Sequence, residues 1–325
     1  MRKTMMMLAL LLLAGGATAQ ETQFHGFVDA AYFYNPAETN GEFSVDQVEV
    51  DVMHQASETT LLRADIEWVK DGEDYVAQIE QAFMSYTLSC GSTFTFGQFN
   101  APMGFELLDA PDMFQYSHAL VFDYALPTNL TGIMLARELG EGFDVTIHVS
   151  NGWDRQTSDD NATYGGRLGY AHDDFGGGFS FISGKEFDAG DAFTRTVMDV
   201  DLSYATGQWI FGGEYNMGTV EDADKNEAEW KGFMLMGHMD VNDWAGFTLR
   251  YDSFDDTDGY AFGLVGTEAQ QRSAITFAAT FVLDDGFGAL AEVRQDMSDQ
   301  EVFLDGDGEP ADSSTALAFE VTYSF

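Results

Sequence analysis

Alternation with a period of two dominates this sequence and limits what it can fold into. From Phe24 onward, roughly sixteen segments of about 8 to 13 residues place apolar side chains at every second position, and none sustains a helical period. Leu62, Ala64, Ile66 and Trp68 alternate with Leu61, Arg63, Asp65 and Glu67. Phe143, Val145, Ile147 and Val149 alternate with Asp144, Thr146, His148 and Ser150, and Met198, Val200, Leu202 and Tyr204 with Asp199, Asp201 and Ser203. The last run sets Leu317, Phe319, Val321, Tyr323 and Phe325 against Glu320, Thr322 and Ser324. Successive strand side chains point to opposite faces, so each segment is a strand with one apolar and one polar face.

A soluble β-sandwich alternates in the same way, so other features must decide whether the apolar stripe meets a core or lipid. Strand length is one: about 11 residues at 3.3 Å rise and 45° tilt cover roughly 25 Å, the height of an outer-membrane apolar band. Aromatic residues near strand ends are another, among them Tyr32, Tyr34, Trp68, Tyr86, Tyr170, Trp209, Trp244 and Tyr323, which suit interfacial girdles. The chain also ends on Phe325 in an alternating strand, a terminus similar to the assembly signal of outer-membrane barrels.

The connections come in two kinds. Short links fall at His54 to Glu58, Ser89 to Gly91, Gly140 to Glu141, His172 to Gly177, Ala205 to Gly207, Val241 to Asp243 and Asp284 to Gly286. Longer, mostly acidic links run Asn35 to Gly41, Asn100 to Asn129, Gly152 to Ala162, Glu186 to Phe193, Gly218 to Ala228, Phe254 to Gln271 and Met297 to Ser314. Short turns on one rim and long loops on the other predict an all-β fold, a transmembrane antiparallel up-and-down barrel with both termini in the periplasm. An even strand number follows, about sixteen with a range of 14 to 18.

Composition agrees. Among 325 residues, 55 Asp plus Glu stand against 14 Lys plus Arg, which excludes a nucleic-acid-binding surface because phosphate contacts need clustered cations. Hydrophobic residues at 45% exclude a disordered acidic polymer. The single cysteine, Cys90, excludes an intrachain disulfide. A mean hydropathy of -0.16, with no long apolar run after the N-terminus, excludes a helical membrane protein. Arg2 and Lys3, the apolar stretch Met5 to Ala14 and the small-residue box Ala17-Thr18-Ala19 predict an export signal over 1–19 and a mature barrel over 20–325.

The link from Asn100 to Asn129 differs from the other loops. It carries Pro102, Pro111 and Pro127, the aromatics Phe105, Phe114, Tyr116, Phe122 and Tyr124, and the acids Glu106, Asp109, Asp112 and Asp123. An exposed loop does not need that apolar content. A sixteen-strand barrel has an aqueous interior, so the expectation is a loop folded inward as a constriction. A surface lid between neighbouring barrels is the alternative.

These residues also carry a family resemblance. The opening Gly26-Phe27-Val28-Asp29-Ala30-Ala31-Tyr32 is part of it, followed by Gln81-Ala82-Phe83-Met84-Ser85-Tyr86 and the run from Phe94 to Glu106, FTFGQFNAPMGFE. Tyr116-Ser117, Pro127-Thr128, Gly132-Ile133 and the run from Val149 to Asp154 complete it. Together they resemble the outer-membrane family called putative beta-barrel porin-2, or OmpL-like porins. Beyond Asp154 only the general strand and turn pattern is shared. The resemblance implies a passive porin and names no solute.

Enzymatic constellations are missing from the sequence. The six histidines, His25, His54, His118, His148, His172 and His238, stand at no metal-ligand spacing, and no nucleophile elbow, phosphate loop or dinucleotide fingerprint occurs. No catalytic residue, cofactor or metal ligand is therefore expected. His148 and His238 fall on polar strand faces, as pore-lining residues do. Two acidic stretches, Asp222 to Asn226 and Asp305 to Glu309, faintly resemble calcium loops but lack their full pattern, so solvated charge explains them better.

The scarce cations are more telling. Arg63, Arg167, Arg250, Arg272 and Arg294 lie on polar faces and should point into the lumen, since a lipid-facing Arg costs about 2 to 4 kcal/mol at mid-membrane. They either form a basic wall opposite the acidic loop or pair with acids such as Asp65, Glu67, Asp199, Asp252 and Glu292. The expectation is an outer-membrane porin passing small hydrophilic solutes and preferring cations. Its partners would be membrane lipid and lipopolysaccharide, the barrel assembly machinery and further copies of itself in a trimer. An adhesive or structural barrel is the first alternative and a barrel hydrolase the second.

Overall fold

A computed structural model describes residues 21–36, 41–72, 74–188, 191–263, 269–284 and 286–325, so the expected export signal, 1–19, lies outside the described residues. The first five strands are β1 (Glu21–Tyr34), β2 (Glu42–Ser57), β3 (Thr60–Asp71), β4 (Asp74–Thr87) and β5 (Ser92–Asn100). A 3-10 turn at Ala110–Asp112 and a helix, α1 (Leu120–Ala125), interrupt the strands. Next come β6 (Asn129–Gly140), β7 (Phe143–Ser150), β8 (Thr163–His172), β9 (Phe175–Asp188) and β10 (Asp191–Thr206). They are followed by β11 (Trp209–Asp222), β12 (Glu227–Asn242), β13 (Ala245–Asp256), β14 (Gln270–Asp284) and β15 (Phe287–Ser298). The two-residue strands β16 (Phe303–Leu304) and β17 (Pro310–Ala311) form a small separate ribbon, and β18 (Ser313–Ser324) is last.

Sixteen of these strands close into one antiparallel barrel. The ring closes where β18 pairs with β1, from Phe27 opposite Ser324 to Tyr34 opposite Leu317. Phe325 continues that seam by donating its backbone N–H to Gly26 O at 3.0 Å. Among the described residues closure leaves the barrel without a free edge, the condition for strands to cross lipid without unsatisfied backbone groups. The alternation is translated directly into sidedness: on β13, Phe247, Leu249 and Tyr251 face outward and exposed while Thr248, Arg250 and Asp252 are buried inside.

Short connections occupy one rim. The strands meet there at Ser57–Thr60, Thr87–Ser92, Gly140–Phe143, His172–Phe175, Thr206–Trp209, Asn242–Ala245 and Asp284–Phe287, close to the expected places. Aromatic contacts collect beside these turns, including Phe143 with Tyr170, Trp209 with Phe211, and Phe287 with Tyr323. The opposite rim differs from expectation at three links, the first being the tight connection from Asp71 to Asp74 between β3 and β4, which was not among those expected. Glu186 to Phe193 and Gly218 to Ala228 were expected as long loops, yet paired strand runs on to Asp188 and Asp191, and to Glu221 and Glu227. Hairpins keep their ladder beyond the bilayer, where polar side chains no longer mark a face by contrast.

Two register shifts push an extra acid into the barrel wall. Between β1 and β2, Asp29 pairs with Gln47 and Ala30 with Val45, leaving Asp46 bulged. Between β3 and β4, Asp65 pairs with Gln81 and Ile66 with Ile79, leaving Glu80 bulged. A bulge sacrifices a ladder position and re-aims a side chain, and Glu80 and its neighbour Gln81 are both buried.

Candidate functional site

Residues 101–128 leave the end of β5 and run across the barrel interior to the far wall. Near the start, the Phe105 N–H donates to Glu214 Oε2 on β11 at 2.8 Å. Farther on, the Tyr116 N–H donates to Glu292 Oε2 on β15 at 2.9 Å, and its hydroxyl donates to Asp46 Oδ2 on β2 at 2.9 Å. The segment is therefore tied to inward-facing side chains on opposite sides of the barrel.

Helix α1 is too short to be stable alone and has no side-chain cap of its own. The wall supplies what it lacks. The Leu120 N–H donates to Asp252 Oδ1 on β13 at 3.0 Å, and the Ala119 N–H donates to Glu106 Oε2 at 2.7 Å, so two carboxylates stand at the positive end of the helix. Its apolar residues Leu120, Val121 and Ala125 are buried in a cluster with Val197, Trp230, Met234 and Phe254. Two glycines make room: a Cβ on Gly232 would lie 2.6 Å from Val121 Cγ1, and one on Gly212 would lie 2.2 Å from the Phe105 ring.

The five arginines do not form one basic wall. Arg63 bonds Asp65 at 2.8 Å, Arg250 bonds Asp252 at 3.2 Å, and Arg294 bonds Asp296 at 2.9 Å. Each pair is Arg-x-Asp on one strand, which the period of two places on one face. Arg167 forms a forked pair with Asp201 on β10. Arg272 bonds Gln270 and lies over the Phe262 ring, 4.0 Å from its centroid. In an interior with so many acids, each guanidinium finds a local partner.

Arg250 and Arg294 also hold the crossing segment. Arg250 is fully buried and reaches Glu106 Oε1 at 2.6 Å, Ser117 O at 2.6 Å and His118 O at 2.9 Å. Arg294 donates to the same His118 carbonyl at 2.6 Å. Of the four acids singled out in the sequence, Glu106 is thus neutralised in a buried pair. Asp112 and Asp123 are exposed to the interior, and Asp109 is partly buried toward the β2–β4 wall. Burial, with repulsion from Glu80, Asp112 and Asp51, pushes the Asp109 carboxyl up to about 8. Burial and the Asp46 carboxylate beside it push the Tyr116 phenol well above its usual range, keeping it a neutral donor.

A cavity of about 270 Å³ remains between the segment and the wall, lined among others by Met103, Glu106, Asp112, Phe122, Arg167 and Asp201. Inward acids elsewhere lack cationic partners: among the described residues, Asp29, Glu49, Glu80 and Glu320 have no salt bridge within 4.0 Å.

Sequence reasoning passed over Arg195 on β10, which lies 4.5 Å from the Trp153 ring centroid and 3.7 Å from Glu186. Phe193 also lies against this guanidinium, its ring centroid 5.5 Å from it, but no local pattern marks the group, because Trp153 comes from a loop 42 positions away in sequence. His238 and His148 are buried inside, and His238 bonds Thr248 at 2.8 Å and packs on Phe114. The two acidic stretches are turns that use their own carboxylates. Asp222 accepts from the backbone of Asp224 and Asn226, and Asp305 from Asp307 and Glu309. Backbone donors from Glu309 and Asp307 lower the Asp305 carboxyl below its usual range.

The sequence model described as "Putative beta-barrel porin-2, OmpL-like" matches residues 21–325. No curated protein matches. Among solved structures, in-vitro folded OmpT of Vibrio cholerae in its trimer form has a TM-score of 0.72 at 10% identity, covering 95% of this chain and 100% of that one. The anion-selective porin from Comamonas acidovorans also has a TM-score of 0.72, at 14% identity, covering 94% of this chain and 100% of that one. The outer-membrane channel DcaP of Acinetobacter baumannii has a TM-score of 0.70 at 12% identity, covering 96% and 100%. At these identities the likeness is one of fold.

Proposed function

Because the chain belongs to the putative beta-barrel porin-2, OmpL-like family and is an outer-membrane barrel, we propose that it is a constricted diffusion channel that favours cations. It works as a channel rather than by covalent chemistry. The observation that carries the cation preference is the imbalance inside: the lumenal arginines are engaged, while Asp29, Glu49, Glu80 and Glu320 have no salt-bridge partner. An excess of acidic over cationic groups lining a narrow opening attracts cations and repels anions. The fold itself does not choose the sign, since a porin named as anion-selective shares it.

On this reading residues 101–128 are the constriction, with Arg250 and Arg294 as its clamp, Asp112 and Asp123 as charges beside the path, and Arg63, Arg167 and Arg272 as wall residues. Small hydrophilic solutes would pass between the segment and the wall. Residues 1–19 act as the export signal, 20–325 form the mature barrel, and three barrels associate, as the trimer form of OmpT does.

Reversal potentials under a KCl gradient in planar bilayers test the preference. Cation selectivity should be strong near 0.1 M salt, where the Debye length is about 10 Å, and weaken toward 1 M, where it is about 3 Å. Anion preference at low salt would overturn the reading.

A further inference from the structure

We propose that the inner wall formed by β2, β3 and β4 holds a divalent cation, calcium by its chemistry, at the carboxylates of Glu49, Glu67 and Glu80, with Asp51 and Asp65 adjoining. Register places Glu49 directly opposite Glu67 and Asp51 directly opposite Asp65. Like charges facing each other across a ladder destabilise it, and here two such pairs are stacked on one face. The bulge between Ile79 and Gln81 then adds Glu80 to the same patch.

Ligand oxygens of Glu49, Glu67 and Glu80 all lie within 4.8 Å of one another, and so do those of Glu49, Asp51 and Asp65. Two oxygens on opposite sides of a calcium ion are separated by twice a bond of about 2.3 to 2.6 Å, so each triad can close on one ion. Glu49 belongs to both triads. It is 1% exposed, and its Oε1 has no hydrogen-bond partner. Asp51 Oδ1 is likewise buried without a partner. A carboxylate oxygen held out of water and aimed at other carboxylates needs a cation or a proton.

Side-chain amides hold several of the other oxygens in place. Gln47 donates to Glu67 Oε2 at 2.6 Å, Gln78 to Glu67 Oε1 at 2.8 Å, Gln81 to Asp65 Oδ2 at 2.6 Å, and Asn100 to Glu80 Oε1 at 2.8 Å. Neutral amides orient the acids without neutralising them, as outer ligand shells do. The nearby cation, Arg63, is already committed to Asp65. An oxygen-only, carboxylate-rich set without His or Cys selects a hard ion, and this acid density suits calcium better than magnesium, which keeps most of its waters.

Calcium binding to the detergent-refolded full chain, followed by calorimetric titration and thermal melting, tests the site without any current, so a barrel that failed to conduct could still bind. Expected is saturable binding with a rise in Tm that EDTA reverses and that NaCl at matched ionic strength does not reproduce. Glu49→Gln should weaken Kd by about tenfold or more. If that variant does not refold, Glu80→Gln carries the same comparison. Asp305→Asn, on the external turn, should bind as the unaltered protein does. Absence of saturable binding, equal affinity in Glu49→Gln and the parent, or loss of binding in Asp305→Asn would each overturn the proposal. A Glu49→Gln protein that is more stable than the parent in both EDTA and calcium would assign the cluster to shared protons instead.

Discussion

Replacing Arg250 by Met should release the crossing segment from the far wall. The guanidinium is fully buried, and one side chain serves Asp252, Glu106 and the carbonyls of Ser117 and His118. Met fills similar space but leaves Glu106 and Asp252 as buried acids without their cation, and removing one partner from a buried pair costs roughly 3 to 5 kcal/mol. The barrel ladder does not depend on Arg250, so the cost falls mainly on the docked segment, whose undocking returns both carboxylates to water. At about 1.4 kcal/mol per tenfold, the docked population should fall by roughly two to three and a half orders of magnitude relative to the undocked one. Single-channel recording should then show higher mean conductance and larger current noise, and larger polyethylene glycols should enter. Adding Glu106→Gln should recover part of the docked state, because one of the two stranded charges is removed. Unchanged conductance and solute exclusion in a heat-modifiable, folded Arg250→Met barrel would refute the clamp.

Deleting 106–123 should raise conductance and admit larger solutes with the barrel intact, and unchanged conductance would place the narrowest point elsewhere. Gly232→Leu should displace α1, since even a Cβ there lies 2.6 Å from Val121, so its conductance should move toward that of the deletion while Tm falls. Neutralising Asp112 and Asp123 together should lower cation preference in reversal-potential measurements more than neutralising Asp305 and Asp307 does, because the second pair sits on an exposed outer turn. Removing Phe325 should reduce the yield of membrane-inserted barrel through loss of the seam contact to Gly26, and an unchanged yield in membrane fractions would make it an ordinary strand residue.

The wall of this protein was readable because its signal is local. Leu62, Ile66 and Trp68 face lipid, and Asp65 and Glu67 face inward, for no reason beyond a side-chain period of two and a solvent that differs on the two sides. The short turns of one rim were readable too, since turn residues stand there between apolar stripes, whereas the tight connection from Asp71 to Asp74 on the other rim was not. The Arg-x-Asp pairs at Arg63, Arg250 and Arg294 were written in the same period, although their consequence, neutralisation within a strand, becomes visible only once the pairs are seen bonded. Strand ends at Asp188 and Asp222 were not readable, because beyond the bilayer both faces are polar and alternation loses its contrast.

Period, strand length and charge along the chain therefore specify an amphipathic, strongly acidic barrel with one unusual apolar loop. Tertiary structure decided what that loop and those acids meet. Glu106 and Arg250 are 144 positions apart, and Tyr116 and Asp46 are 70 apart, so no periodicity links them. The bulges at Asp46 and Glu80 depend on the register between two strands, a property of neither strand alone. Charge and polarity along a chain fix which face a residue takes, whereas ring closure and register fix its partner, because they bring distant positions to one point in the lumen.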